Sequence, residues 1–385
     1  MKISWRVVTW FALLGAVPSL AAAPLSERIA LEMEAQIKAR ELAGVVTLVA
    51  DAEKVLHLAA DGFSNLEKSV PMTPDTVFWI ASMTKPITAT AVMMMQDEQR
   101  LSVKDEVSKF LPEFRDLKDA AGNPVTITIE QCLTHSSGLS ELSGEELRAC
   151  RTLADLSPLI AAKPVKFSPG EKWEYCQTGI NLAARIVEVV SGKTFPEFLQ
   201  ERLFGPLEMV DTSFYPGASQ VARMVTPYRR SSDGGLEAAE FSFLHGASPS
   251  DDQRVPMANG GLFSTAADYA KFAQMILSGG ESQGKRLVSE SGVRQMTGVQ
   301  SGELRTGFTP GNAWGLGWCV VREPQGVSAA LSPGSYGHGG LYGTQAWIDP
   351  VKKRIYLLLI QRADMANSDA SEARRIFQNA AANES

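Results

Sequence analysis

Strand-like segments lie at both ends of this chain, and a long helical stretch separates them. "VVTLVADAEKVLHLAADGF" offers two β-rich runs, 45–50 and 55–60, with DAEK between them as a hairpin turn. The C-terminal part holds "WGLGWCVV" (314–321), "GTQAWIDP" (343–350) and "RIYLLLIQ" (354–361) as strands, with "DPVKK" as the hairpin joining the last two. Helical periodicity dominates in between, at 82–97, 128–134, 177–191, 195–204 and 264–277. Such an order predicts an α+β fold: one mostly antiparallel sheet closed by the two chain ends, with a helical subdomain inserted between them. The sheet part spans about 22–80 and 300–385 and the helical part about 81–299, together one domain over 22–385. Terminal helices at 25–41, with Ile29, Met33 and Ile37 on one side, and from near Asp369 onward flank the sheet. Active sites commonly lie at the seam of two such parts.

With 44% hydrophobic and 21% charged residues the chain can bury a large core. The formal charge of -6 is spread without blocks, which excludes an electrostatic footprint for nucleic acid or anionic lipid. At the N-terminus Lys2 and Arg6 precede an apolar run from Val7 to Val17 and then small residues, the layout of a signal peptide over 1–21; an uncleaved anchor is the alternative. The mature chain is expected to be periplasmic or secreted, without stable membrane insertion. Four scattered cysteines (Cys132, Cys150, Cys176, Cys319) form no C-x-x-C pair and leave one or two bridges open. The histidines His57, His135, His245 and His338 are dispersed too, so no metal-ligand spacing is present and no metal or other cofactor is expected.

"FWIASMTKPITATAVMMMQ" (78–96) sets Ser82 and Lys85 three positions apart at the head of an apolar helix. Positions i and i+3 share a helix face, so hydroxyl and amine come within hydrogen-bonding reach. Burial and the positive end of the helix dipole both push a lysine toward its neutral form, in which it can take the serine proton. A second Ser-x-x-Lys, Ser282 to Lys285 in "GGESQGKRL", also matches Gly-x-Ser-x-Gly, but it lacks the strand-then-helix context of a nucleophile elbow. Two further stretches favour Ser82: "PGEKWEYCQTGINLAARIVEVVSG" places Tyr175 just before a helix, and "YGHGGLYGTQAWIDP" leads His338, Gly339 and Gly340 into a strand.

On these motifs, with "LTHSSGL", "GGLFSTAADYAKF" and "WGLGW", the chain from about 40 to 362 resembles the penicillin-recognising serine hydrolases. It is nearest in pattern to class C β-lactamases, family VIII carboxylesterases and serine D-peptidases. The resemblance implies a β-lactamase/transpeptidase-like fold, Ser82 as acylated nucleophile, Lys85 as its base partner and Tyr175 as proton shuttle. Tyr175 would suit that task if a neighbouring cation lowered its pKa. Backbone N–H groups of Ser82 and Leu341 would form the oxyanion hole, and Gln177, His338, Gly339 and Gly340 would meet substrate.

Two departures bear on specificity: Gln177 stands where the lactamase pattern has Asn, and His338 where it has the Lys of Lys-Thr-Gly, removing a permanent cation for a substrate carboxylate. A small-molecule ester is the expected substrate, with some amide or β-lactam turnover. A D-amino-acid peptidase, a β-lactamase and a non-catalytic penicillin sensor are the rivals. His135 is read as a loop brace and Cys176 as a small packed residue. Trp173, Trp314 and Trp318 either line the acyl pocket or belong to the core. Residues 218–261, irregular and polar, are either a binding loop over the site or a surface excursion.

Overall fold

The structure, a computed structural model, describes residues 23–244 and 247–382; the expected signal peptide over 1–21 and His245 lie outside the described residues. Eight antiparallel strands form one sheet in the order 312–314, 319–321, 336–339, 345–349, 354–359, 44–50, 55–65, 70–71. The chain ends meet at its centre, where Gly44–Ala50 pairs with Arg354–Leu359 in the register Val46↔Leu359 to Ala50↔Ile355. Both strands are almost wholly buried, as central strands covered on two faces must be. Side chains alternate between the faces: Val46, Leu48, Ile355, Leu357 and Leu359 join the core under the helical middle, while Val45, Val49, Tyr356 and Leu358 join a second core under the terminal helices.

That second core contains Ile29 and Met33 of the helix Leu25–Lys38 and Phe377 of the helix Glu372–Ala382, with Ile37 at its margin. The DAEK turn forms because Asp51 Oδ1 accepts from the N–H of Glu53 (2.9 Å) and Lys54 (2.8 Å). "WGLGWCVV" is not one strand but two, Asn312–Trp314 and Cys319–Val321, paired at Trp314↔Cys319. The glycines between them decide this: Gly317 has φ +70°, and a Cβ there would lie 3.0 Å from the Lys85 carbonyl oxygen, so the turn packs directly on the helix that carries Lys85. In the next hairpin His338 and Gly339 are already in the strand Tyr336–Gly339, and the turn begins at Gly340.

The helix Thr84–Asp97 is buried all round from Thr84 to Met95 and runs through the interface of sheet and helical part. Pro86 is tolerated because its missing N–H falls in the first turn, where no intrahelical acceptor exists. All four cysteines are free and buried. No helix among the described residues is long and apolar enough to cross a membrane.

Candidate active site

Ser82 sits not on the helix proper but in the short 3₁₀ turn Ala81–Met83 that leads into it. The preceding Ala81 has φ +45°, a left-handed conformation that is costly for a non-glycine residue and that recurs, among other places, where a functional side chain is presented. Lys85, fully buried, donates from Nζ to Ser82 Oγ (2.9 Å) and to the carbonyl oxygen of Asn259 (2.7 Å). Burial lowers its pKa to about 7, although the carboxylates of Glu141 and Asp369 pull the other way. Near neutrality a large share of Lys85 is therefore an uncharged amine against the serine hydroxyl.

Tyr175 arrives from the segment before the helix Gln177–Ser191, its hydroxyl hydrogen-bonded to Ser82 and its ring centroid 4.6 Å from Lys85 Nζ. The three groups named from the sequence meet in one place. The expected fall in the Tyr175 pKa does not occur: burial drives it well above the usual phenol value, and the Ser82 hydrogen bond only offsets this in part. The nearby carboxylates of Asp369 and Glu141 raise it further, so the phenol stays protonated. Tyr175 thus keeps its proton in the resting site, and the neutral form of Lys85 is the group able to accept one.

His135 lies beneath Tyr175, ring centroids 4.5 Å apart, and its Nδ1 accepts from the N–H of Cys176 (3.1 Å). It braces the segment that carries Tyr175. Burial keeps it neutral, its pKa far below the usual imidazole value. His338 departs from expectation: it is 2% exposed, packs against Trp314 and Tyr175, and does not line the cavity beside Ser82. Burial, with the Lys85 charge, takes its pKa down to about 3, so it supplies no cation to a substrate. Trp314 and Trp318 are core residues, and Trp173 backs Tyr175 from behind. The aromatic lining of the cavity comes instead from Trp79, Tyr175, Phe243 and Phe308.

Gly339, Gly340 and Leu341 do reach the cavity. A Cβ on Gly340 would stand 2.7 Å from the Ile80 carbonyl oxygen, which shows how closely the strand end meets the turn before Ser82. Met83 N donates to Ile80 O and Gly340 N to Thr344 O, whereas the N–H groups of Ser82 and Leu341 take no part in the backbone hydrogen bonds among the described residues. At Gly339 an added methyl would fall 2.0 Å from Asp369 Oδ1 and 2.6 Å from Gln345 Nε2. Gly339→Ala is expected to displace this strand end and lower ester turnover at least ~100-fold, since misplacement by about 1 Å costs that much. Turnover within threefold of wild type in a steady-state assay would contradict it.

Several partners were not apparent in the sequence. Glu141 caps the helix Gln177–Ser191 from another segment, accepting from the N–H of Gln177 (2.5 Å) and Thr178 (3.2 Å) and from Thr178 Oγ1 (2.6 Å), where the N-cap residue Cys176 offers no side-chain cap. Asn259 uses its carbonyl on Lys85 and donates from Nδ2 to Gln177 Oε1 (2.8 Å), tying the expected substrate contact Gln177 to the Ser82–Lys85 pair. Its position just before "GGLFS" is the one hint the sequence held. Phe243, Leu244, Val255 and Met257 line the cavity, so described residues from the second half of the irregular stretch form part of its wall. Ser282 lies on a surface hairpin of two-residue strands with φ +49° at Gln283, not on a strand-to-helix elbow. Among the described residues no three His, Cys, Asp or Glu side chains are grouped to hold a metal.

The fold and this geometry define a class, the serine hydrolases of the β-lactamase/transpeptidase fold. The sequence pattern of the Beta-lactamase family matches residues 30–381, and the chain belongs to that family. It is 34% identical to Protein Rv1367c of Mycobacterium tuberculosis over 86% of this chain and 89% of that one. It is also 28% identical to Esterase EstB of Burkholderia gladioli, covering 90% and 92%. Among solved structures, EstCE1, described as a hydrolase with promiscuous acyltransferase activity, superposes with a TM-score of 0.78 at 23% identity, over 93% of this chain and 98% of that one, a likeness of fold.

Proposed function

We propose that the protein is an exported carboxylesterase acting on neutral esters with an apolar acyl group, through an acyl-enzyme on Ser82. Lys85 takes the hydroxyl proton as Ser82 Oγ bonds to the ester carbonyl carbon, and the N–H groups of Ser82 and Leu341 hold the developing oxyanion. Tyr175 passes a proton to the departing alkoxide and regains one from Lys85. Water then attacks the acyl-enzyme by the reverse relay and releases the carboxylic acid. The observation that carries the substrate class is the cavity of about 970 Å³ opening beside Ser82, whose inner wall is built from Leu142, Leu147, Leu156, Ile160, Phe243 and Val255. A pocket of that lining stabilises hydrocarbon, at ~25 cal/mol per Å² removed from water.

The same reading disfavours β-lactams and D-alanyl peptides, whose carboxylates would find no cation at His338. Export rests on the N-terminal sequence pattern alone. Initial rates with p-nitrophenyl esters from acetate to octanoate, with nitrocefin and with a D-alanyl-D-alanine peptide separate the possibilities. The expected order has butyrate to octanoate well above acetate, and both other substrates lower by ~100-fold or more, since a lost charged contact costs about 3 kcal/mol. Peptide release exceeding ester release would replace the esterase with a peptidase, and no turnover of any would favour a penicillin sensor.

A further inference from the structure

Asp369 is one of three acids lining this cavity, with Glu141 and Asp251, that the proposed reaction does not use. Its carboxyl lies in the wall beside Gly339, with Oδ1 2.0 Å from the point where a Gly339 methyl would stand, and Phe308, Met365 and Asn367 also line the cavity, Asn367 bonding to both the Phe308 carbonyl and the Asp369 N–H, which marks this side as one arm. That arm adjoins Tyr175: Phe308 packs on the Tyr175 ring at 4.9 Å, and Asp369 is close enough to Tyr175 and Lys85 to perturb both electrostatically. Tyr175 is the donor to the leaving oxygen, so the alcohol half of an ester is directed into this arm, while the hydrocarbon-lined arm holds the acyl half. The cavity is accordingly polarised. Arg148, Arg151, Asp251 and Arg254 line it along with the apolar wall, whereas Asp369 and Glu141 are the acids whose charges reach Lys85.

The nearest cation to Asp369 does not cancel it from the substrate's side. Arg374, fully buried, lies behind the cavity wall with its guanidinium 4.0 Å over the Trp347 ring. It donates from Nη1 to the backbone carbonyl of Asp369 (2.6 Å) and from Nη2 to Ser328 Oγ (3.1 Å), and the carboxyl group is hydrogen-bonded by Gln345 instead. With His338 buried and neutral, the group an alcohol moiety meets in this arm is the Asp369 carboxyl: burial raises its pKa, the charges of Arg374 and Lys85 and the Gln345 hydrogen bond oppose that rise, and a cationic group brought beside it favours the ionised form.

We propose that Asp369 is a specificity residue that selects cationic or neutral leaving groups and rejects anionic ones. The inference rests on the esterase reading and adds to it the polarity of the alcohol half. An opposite charge a few ångströms away at a partly water-excluded site is worth a tenfold preference or more, and a like charge costs as much.

The experiment uses three butyrate esters of matched size: those of choline, of its uncharged isostere 3,3-dimethylbutanol, and of 3-hydroxypropanoate. In the wild type kcat/KM is expected to fall in that order, with at least tenfold between the first and the last. Asp369→Asn should bring the choline ester within about twofold of the neutral ester and raise the anionic ester relative to it by about tenfold. Unchanged ratios in Asp369→Asn overturn the proposal. Should that variant not fold, the wild type alone decides, because an anionic ester turned over as well as the neutral one has the same force. Failure of the esterase reading looks different: the neutral ester is then not hydrolysed, or its hydrolysis survives Ser82→Ala, and both inferences fall together.

Discussion

Ser82→Ala is expected to lower ester turnover by about 10⁴- to 10⁶-fold while leaving the fold intact. The size follows from the geometry. Ser82 Oγ is the one atom that both Lys85 Nζ and the Tyr175 hydroxyl address, so its loss removes the nucleophile and leaves base and donor with nothing between them. Stability should change by only ~1 kcal/mol, the worth of a hydrogen bond, because Lys85 keeps the Asn259 carbonyl as acceptor. Steady-state rates and thermal melts of the two proteins check both halves. Labelling with a fluorophosphonate followed by peptide mapping adds an independent reading: the label belongs on Ser82, and its appearance on Ser282 would remove the assignment.

Lys85→Met should cost about 10³- to 10⁴-fold in rate, the contribution of a well-placed general base. In the wild type kcat/KM should fall with acid as Lys85 protonates, about tenfold per pH unit below its pKa of about 7, and this limb should vanish from the residual activity of the variant. The same group leaves a mark on stability. Burial holds Lys85 at about 7 in the folded chain, against 10.5 for an unperturbed lysine in the unfolded chain. Between these values the unfolded state binds a proton that the folded state does not, so folding is penalised at the acid end and stability rises with pH by ~1 kcal/mol per unit. Lys85→Met should flatten that rise in denaturant titrations between pH 7 and 10. Parallel profiles for wild type and variant would show that Lys85 is charged in the folded protein, and the base assignment would fail; the comparison is needed because the buried thiols of Cys132, Cys176 and Cys319, whose pKa values burial raises, add an opposite slope to both proteins.

The linear pattern of the chain carried much of this. Strand runs at both ends around a helical middle led to an antiparallel sheet completed by both termini, because period-2 and period-3.6 burial are local properties of the sequence. The Ser82 to Lys85 spacing fixed a serine–lysine contact before any tertiary question arose, since both lie within one turn of chain. Tyr175 was legible as well, by its place just before an amphipathic helix within a recognisable order of motifs.

Local patterning along the chain therefore settled which elements form and which side chains can meet within one of them. Three-dimensional packing alone decided the electrical state of those side chains and their long-range partners. No local pattern signals that His338 turns into an aromatic shell, that Tyr175 keeps its proton, or that Asn259, Glu141 and Asp369 converge on Lys85 from three distant segments. A pKa answers to how much water is excluded and which charges stand within a few ångströms. Both are set by groups remote in the chain and near only once the sheet has closed on the helical part.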